Sequence, residues 1–591
     1  MKLILKYLKK YSRLVITGLL LKFGATIIEL LLPYILEYMI DTVAVRGSAA
    51  QVLFWGALML CLALLARAVN VAANRVAIRQ AAKSTLDIRR ELFSRSLRLS
   101  GSQVDGFGLP SLTSRMTADT YNVQNFLRSV QTMGVRAPIM LVGGIILTMT
   151  MDVGLSAILC VIAPMMIFVI ITISRKGVPL YEKVQRALDD LVCIMRENIT
   201  GIRVVKSLSK EEYERARFSG KNEVMTASDK KAGIVMALPG PLITLALNVG
   251  LTAVVFVGAK RVNSGLTQPG VILAFLTYFN MILMGVMGLN RIFMLFSKAS
   301  ASADRISEVC DCADLLLPLS EQEAPPVQTD AYIRFDHVSF SYANAAEAAG
   351  ASGVPEDAFA GEDRQNSLID INFAIKKGGS LGIIGATGSG KTTVINLLMR
   401  FYDADSGQIY IGGKDVRTFE ADDLRRKFGV VFQNDVIFAD TVKGNIVFGR
   451  DVDDKAVETA AMCAQVAGFI NDYEDTYLHR ADIRGANFSG GQKQRILIAR
   501  ALAAAPEILV LDDASSALDY RTDAEIRKAV RANYAPSATI IIAQRVSSVM
   551  SLDNILVLDE GRIIGSGTHA QLLATCKQYR EICEMQMGGN R

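Results

Sequence analysis

Nine consecutive residues concentrate the chemistry of this chain: Gly385, Ala386, Thr387, Gly388, Ser389, Gly390, Lys391, Thr392 and Thr393. A short apolar run at 381–384 precedes them, and a helix-period pattern at 394–401 follows. Glycines let backbone N–H groups turn inward, and the N-terminus of the helix adds its partial positive charge, so this strand, turn and helix form a phosphate cradle. Lys391 can reach β- and γ-phosphates, and the Thr392 hydroxyl can ligate Mg²⁺. The pattern predicts binding of ATP or GTP. A second apolar run, 508–511, ends in Asp512 and Asp513. An acid at the C-terminal end of a parallel strand lies beside such a cradle and can hold Mg²⁺ through water.

Between these two elements, Phe488, Ser489, Gly490, Gly491 and Gln492 open a helix that continues through Arg495. Gly490 and Gly491 free backbone N–H groups at its N-terminus, which makes a second anion site. A γ-phosphate already cradled by Lys391 leaves little room for a second helix end from the same chain. This segment closely resembles the signature of ATP-binding-cassette (ABC) proteins, and the resemblance covers nearly the whole chain. It implies that Tyr342 stacks on adenine, that Gln433 touches Mg²⁺ and water, and that Ser516, Ala517, Leu518 and Asp519 form a loop crossing to a partner. The implied ligands are ATP and Mg²⁺, the ion held by Thr392, Gln433 and Asp512. The implied fold is an α-helical transmembrane domain of six helices, exporter type with domain-swapped helices, followed by an α/β P-loop ATPase domain. In this family the signature of one subunit closes over the ATP of the other, so one cassette per chain implies a two-chain transporter.

Two positions depart from the family pattern. Efficient hydrolysers carry glutamate directly after the first aspartate, where it polarises the attacking water. Here Asp513 stands in its place, one methylene shorter, setting the carboxylate back by roughly 1–1.5 Å. A misplacement of about 1 Å can cost on the order of a hundredfold in rate. Gln544 stands where the family normally has histidine, and it donates a hydrogen bond but carries no imidazolium charge. Both changes beside an intact Ser489, Gly490, Gly491 and Gln492 resemble the degenerate-site subunit of heterodimeric exporters. The implied partner is a second, different half-transporter that supplies the glutamate and histidine. Just before the signature, the 479–485 stretch lacks the Gly-Glu-Arg-Gly of many exporters.

The elements that must carry these residues divide the chain in two. Its 591 residues are 51% hydrophobic and 21% charged, with a mean hydropathy of +0.30, which excludes disorder and places part of the apolar excess against something other than water. Its 64 basic and 58 acidic residues, net charge +6, give no footprint of a nucleic-acid binder. Eight scattered cysteines form no disulfide framework. Apolar runs long enough to cross about 30 Å of hydrocarbon occur near 14–40, 52–71, 130–151, 155–173, 235–257 and 271–293, and no comparable run follows residue 299. Lysines and arginines cluster at the N-terminus, between the second and third runs and between the fourth and fifth, which predicts cytoplasmic termini and cytoplasmic excursions, the pattern of an integral protein of the bacterial plasma membrane. The expected domains are 1–300, a transmembrane domain with a surface-lying N-terminal helix and two helical excursions, 301–330, a linker, and 331–591, the ATPase domain, with 343–366 an exposed insertion. Polar tips near 106–119 and 207–214 are expected contact points for the soluble half.

Cargo is less determined by the residues. Glu29 falls inside the first apolar run, where a charge is costly and faces a cavity or a partner, and Lys22 is its candidate intrahelical pair. Asn248 and Asn280, with Met281, Met284 and Met287, would suit an adaptable amphipathic pocket. No cysteine-protease domain precedes the first run, which argues against leader-cleaving peptide exporters. The expectation is export of amphipathic drugs or lipids; a slow homodimeric lipid or peptide exporter and a nucleotide-gated regulator remain as alternatives.

Overall fold

The computed structural model describes residues 2–320, 322–342 and 367–587; the expected 343–366 insertion lies outside them. The chain divides into two compact units, residues 1–93 with 113–307, and residues 94–112 with 308–591.

Among the described residues, apolar composition and length make six helices able to span a membrane: Ser12–Val43, Ala49–Ser96, Leu109–Met151, Val153–Thr200, Glu211–Asn263 and Pro269–Cys310. Each contains one of the expected apolar runs. Helix Ala49–Ser96, with 48 residues, is about 72 Å long at 1.5 Å per residue, so more than half of it extends beyond the hydrocarbon. Helix Pro269–Cys310 continues past residue 300, so residues 301–310, counted with the linker from sequence, are helical. Lipid tails supply no hydrophobic drive between helices, and close backbone approach does the packing. A Cβ at Gly285 would stand 2.9 Å from the Ala137 carbonyl oxygen, and one at Gly288 2.9 Å from the Ala137 methyl.

Helix Lys2–Lys10 was expected to lie on a membrane surface. It buries Leu3, Ile4 and Tyr7 and pairs with the extension of Ala49–Ser96. Lys6 pairs with Glu91 at 2.8 Å and Lys10 with Asp87 at 2.5 Å, and the Tyr11 hydroxyl donates to Asp87 at 2.8 Å. Asp87 stands 16 residues (87 − 71) past the end of the second apolar run, about 24 Å of helix. Acids one turn apart on the long helix thus pair with two of the four lysines of Lys2–Lys10.

The second unit is built on two sheets. One is antiparallel, ordered β2-β1-β4-β5, from β1 (Ile333–Phe340), β2 (Leu368–Ile375), β4 (Ser406–Ile411) and β5 (Lys414–Asp415). The other is ordered β10-β9-β3-β8-β7-β6, with β3 (Ser380–Gly385), β6 (Phe428–Val431), β7 (Ile508–Asp512), β8 (Ala538–Ile542) and β9 (Asn554–Asp559) parallel and β10 (Arg562–Gly567) antiparallel at the edge. Parallel strands are buried on both faces and read as unbroken apolar runs; all five residues of β7, Asp512 included, are buried.

If the backbone contact at Gly285 holds the spans together, Gly285→Leu should destabilise the protein in detergent by about 1–3 kcal/mol, read as a lower thermal unfolding midpoint. Gly56→Leu, where a Cβ meets nothing within 4 Å, should leave the midpoint in place. Equal shifts for the two variants would remove the packing argument.

Candidate nucleotide site

The cradle forms at the C-terminal end of β3. Gly388 and Gly390 adopt φ of +83° and +95°, a region that residues with a Cβ avoid, and Gly390 caps helix Lys391–Leu398. The turn and helix wall one side of a cavity of about 290 Å³, which Tyr342, Gln433, Asp512, Asp513 and Gln544 also line. Lys391 Nζ donates to the carbonyls of Gly385 at 3.0 Å and Ala386 at 2.7 Å, folded over the turn it would leave to reach a phosphate. Ser389 Oγ is buried with no hydrogen-bond partner, an orphan that a phosphate oxygen would satisfy.

Asp512 Oδ2 accepts from the Thr392 hydroxyl at 3.0 Å. Burial raises the Asp512 carboxyl above its usual range, the bond from Thr392 opposing the shift, and burial likewise raises Asp513 and lowers Lys391. Thr392, Asp512 and Gln433 form an all-oxygen donor set suited to a hard divalent cation that keeps water and phosphate ligands. These residues therefore fit Mg²⁺, which Thr392, Asp512 and Gln433 would hold and which would offset phosphate charge. The Tyr342 ring lines the cavity and packs edge-on against Phe340, centroids 4.9 Å apart, and against Tyr402, 5.2 Å apart.

Asp513 sits at φ +52°, a costly conformation for a non-glycine residue, pinned by its N–H donating to the Ile542 carbonyl at 2.9 Å. Its Oδ2 accepts from Gln544 Nε2 at 3.3 Å. Gln544 is held in turn by Gln586, whose amide donates to the Gln544 carbonyl at 2.7 Å and accepts from the Val546 N–H at 2.8 Å. The residues that stand where glutamate and histidine were expected are thus joined at the cavity wall.

The signature is intact and lies apart from this cavity, which none of residues 488–492 lines. Ser489 caps helix Gly490–Leu502 in a reciprocal box: its Oγ accepts from the Gln492 N–H at 3.3 Å, and Gln492 Oε1 accepts from the Ser489 N–H at 2.8 Å. The Ser489 hydroxyl proton and the first N–H groups of the helix stay available at an exposed helix end. Phe488 is buried beneath them. The loop of Ser516, Ala517, Leu518 and Asp519 passes against Gly491, where a Cβ would stand 3.1 Å from the Ala517 carbonyl oxygen, and Asp519 caps helix Tyr520–Asn533.

The family profile of the ABC transporter transmembrane region matches residues 15–287, and that of the ABC transporter ATPase region, described as "ABC transporter", matches residues 368–516. YfiB of Bacillus subtilis, described as an uncharacterized ABC transporter ATP-binding protein, is 33% identical over 99% of this chain and 98% of the relative. The chain belongs to the ABC transporter family. The ABC transporter ATP-binding protein exp8 of Streptococcus pneumoniae, described as putative, is 28% identical over 100% of this chain and 97% of the relative. The solved structure of a bacterial Atm1-family ABC exporter with ATP bound has a TM-score of 0.77 and 25% identity, covering 99% of each chain. Exporter-type fold, membrane integration and ATP-driven transport follow for this ABC transporter.

In this ABC transporter the two expected tips differ. The first is the short helix Gly101–Phe107, slightly ahead of the expected position, and it belongs to the ATPase unit. The Gly101 N–H donates to the Phe401 carbonyl at 3.1 Å, Tyr402 donates to Asp105, and a Cβ at Gly101 would stand 2.6 Å from the Tyr402 ring. Tyr402 therefore touches both Tyr342 and the tip, a connection with no sequence signal beyond an aromatic four residues after the cradle helix. The second expected tip, 207–214, holds no buried residue, and neither does the helix Ile202–Ser207 that leads into it.

Among the proposed cargo residues, Lys22 does not pair with Glu29. Lys22 Nζ donates to Asn70 at 2.7 Å and to Asn74 at 3.1 Å, and Glu29 pairs with Arg136 at 3.0 Å. Both acid and lysine find partners on neighbouring helices, which sequence spacing cannot display. Asn280 folds its amide back on the Leu276 carbonyl at 2.9 Å, and Asn248 is exposed; no hydrogen bond among the described residues joins either to Glu29.

A raised Asp512 carboxyl takes up its proton at higher pH than an ordinary aspartate, so acidification should weaken Mg²⁺-dependent ATP binding before the usual carboxylate range near about 4 is reached. Asp512→Asn should abolish both the Mg²⁺ requirement and that pH dependence, measured by displacement of a fluorescent ATP analogue. Persistence of both in the variant would remove Asp512 from the ion's ligands.

Proposed function

We propose that this chain is one subunit of a heterodimeric ABC exporter that moves amphipathic drugs, lipids or similar compounds out of the cytoplasm or inner leaflet of a bacterial plasma membrane. Its termini and ATPase domain face the cytoplasm. Its own ATP is held and cleaved slowly, while its signature helix end completes a faster site on a different half-transporter.

The observation that carries this reading is the pair Asp513 and Gln544. The shorter carboxylate sits in a strained backbone conformation and receives its hydrogen bond from an uncharged amide, so neither partner is set to activate water as a Glu and His pair would. The signature, by contrast, keeps its cap and its free N–H groups. Two further features support a second chain: residues 488–492 take no part in the cavity wall, and the helix Ile202–Ser207 buries nothing within its own chain.

Purification of the tagged chain from its host should bring down a second cassette protein in equal amount. In that complex Asp513→Ala should cost less than about threefold in ATP turnover, while Ser489→Arg, which puts bulk and positive charge at the helix end, should cost about a hundredfold or more. The opposite ranking defeats the proposal. Installing Asp513→Glu together with Gln544→His should raise hydrolysis at this chain's own site by about tenfold or more, read in a complex whose other site is disabled.

A further inference from the structure

The helix Ser12–Val43 carries Lys22 and Glu29, seven positions apart, so two turns separate them on one face. They belong to a polar chain that crosses three helices and runs from Lys22 to Arg136. Lys22, 4% exposed, donates to the side-chain oxygens of Asn70 and Asn74. The Asn70 amide donates to Glu29 Oε1 at 3.1 Å, and Arg136 Nη2 stands 3.0 Å from Glu29 Oε2.

The charges of this chain do not balance. Lys22 and Arg136 are two cations and Glu29 is one anion. The asparagines solvate the ammonium without neutralising it. No aspartate or glutamate occurs between residues 49 and 86 of the second helix, or between 120 and 151 of the third; Arg67, exposed and one turn before Asn70, adds a further positive charge. Arg136 Nε and Glu29 Oε2 are both buried with no hydrogen-bond partner, so the two side chains form an ion pair without a hydrogen bond, while the Arg136 side chain as a whole remains 38% exposed. An uncompensated cation within an apolar span is costly unless an anion reaches it, and a guanidinium with a spare donor is shaped for carboxylate or phosphate oxygens.

We infer that Arg136, Lys22 and Asn74 form a subsite for the negatively charged headgroup of an amphipathic cargo, with Glu29 holding Arg136 in place until the cargo arrives. This deepens the exporter reading and rests on it. The ligand class is a single anionic group, phosphate-like or carboxylate-like, on an apolar tail.

The test uses the full chain, with the partner that copurifies, in phosphatidylcholine nanodiscs, so that no anionic lipid competes. Decyl phosphate, decyltrimethylammonium and inorganic phosphate are titrated by calorimetry against empty discs. Decyl phosphate should bind saturably and at least about tenfold tighter than decyltrimethylammonium, with inorganic phosphate alone failing to displace it. Arg136→Gln should erase that preference, Arg136→Lys should keep most of it, and Glu29→Gln should tighten decyl phosphate about threefold or more by removing the competing charge. The inference falls if the ammonium binds as well as the phosphate, if inorganic phosphate displaces the amphiphile, or if Arg136→Gln and Glu29→Gln shift affinity in the same direction. Should Arg136→Gln fail to fold, the wild-type preference and the Glu29→Gln and Arg136→Lys values decide. Binding with this preference by a complex that moves no decyl compound across a vesicle keeps the subsite and defeats the exporter reading; transport of decyltrimethylammonium without binding of decyl phosphate does the reverse.

Discussion

A triphosphate concentrates negative charge that must be met by N–H groups and cations in a small volume, and this constraint organises the whole ATPase unit. The chain answers it twice, with two helix N-termini at different places. One opens from glycines in left-handed conformations above Lys391, and the other is the capped end at Ser489. Backbone donors at a helix end cost no side-chain entropy and cannot rotate away. The first end lies in the cavity wall and the second does not.

What surrounds the first end links chemistry to mechanics by short contacts. Tyr342 faces the nucleotide cavity, its ring meets Tyr402, and Tyr402 meets Asp105 and Gly101 on the first tip. Aromatic rings are stiff, with few rotatable bonds, so a displacement at the base end is not absorbed by side-chain freedom along the way. The opposite wall is softer in chemistry: Asp513 accepts a long hydrogen bond from the uncharged Gln544 amide, and Gln586 props the loop from behind.

How much of this was legible in sequence follows from what each feature needs. The cradle, the buried strand ending in Asp512 and the signature depend on local order, glycines at fixed offsets and apolar runs of fixed length, and the structure places them where spacing put them. Six spans were readable because hydrocarbon demands long apolar runs. Cross-helix pairing was not. Lys22 and Glu29 sit at helical spacing yet bond to Asn70 and Arg136, since partner choice depends on which helices touch. Likewise the partners of Lys6 and Lys10, Glu91 and Asp87, lie far along the sequence. The tip at Gly101 was missed by several residues because its polar neighbours are less telling than the ring pressed against it.

That ring has an evolutionary corollary. At Gly101 the helix meets Tyr402 through bare backbone, with an amide bonded to the Phe401 carbonyl and no room for even a methyl group. A joint built this way offers selection nothing to adjust: each face is fixed by the other, and its stiffness comes with the peptide bond itself. A side chain added at position 101 would have to move the Tyr402 ring, and with it the contact that ring makes with Tyr342.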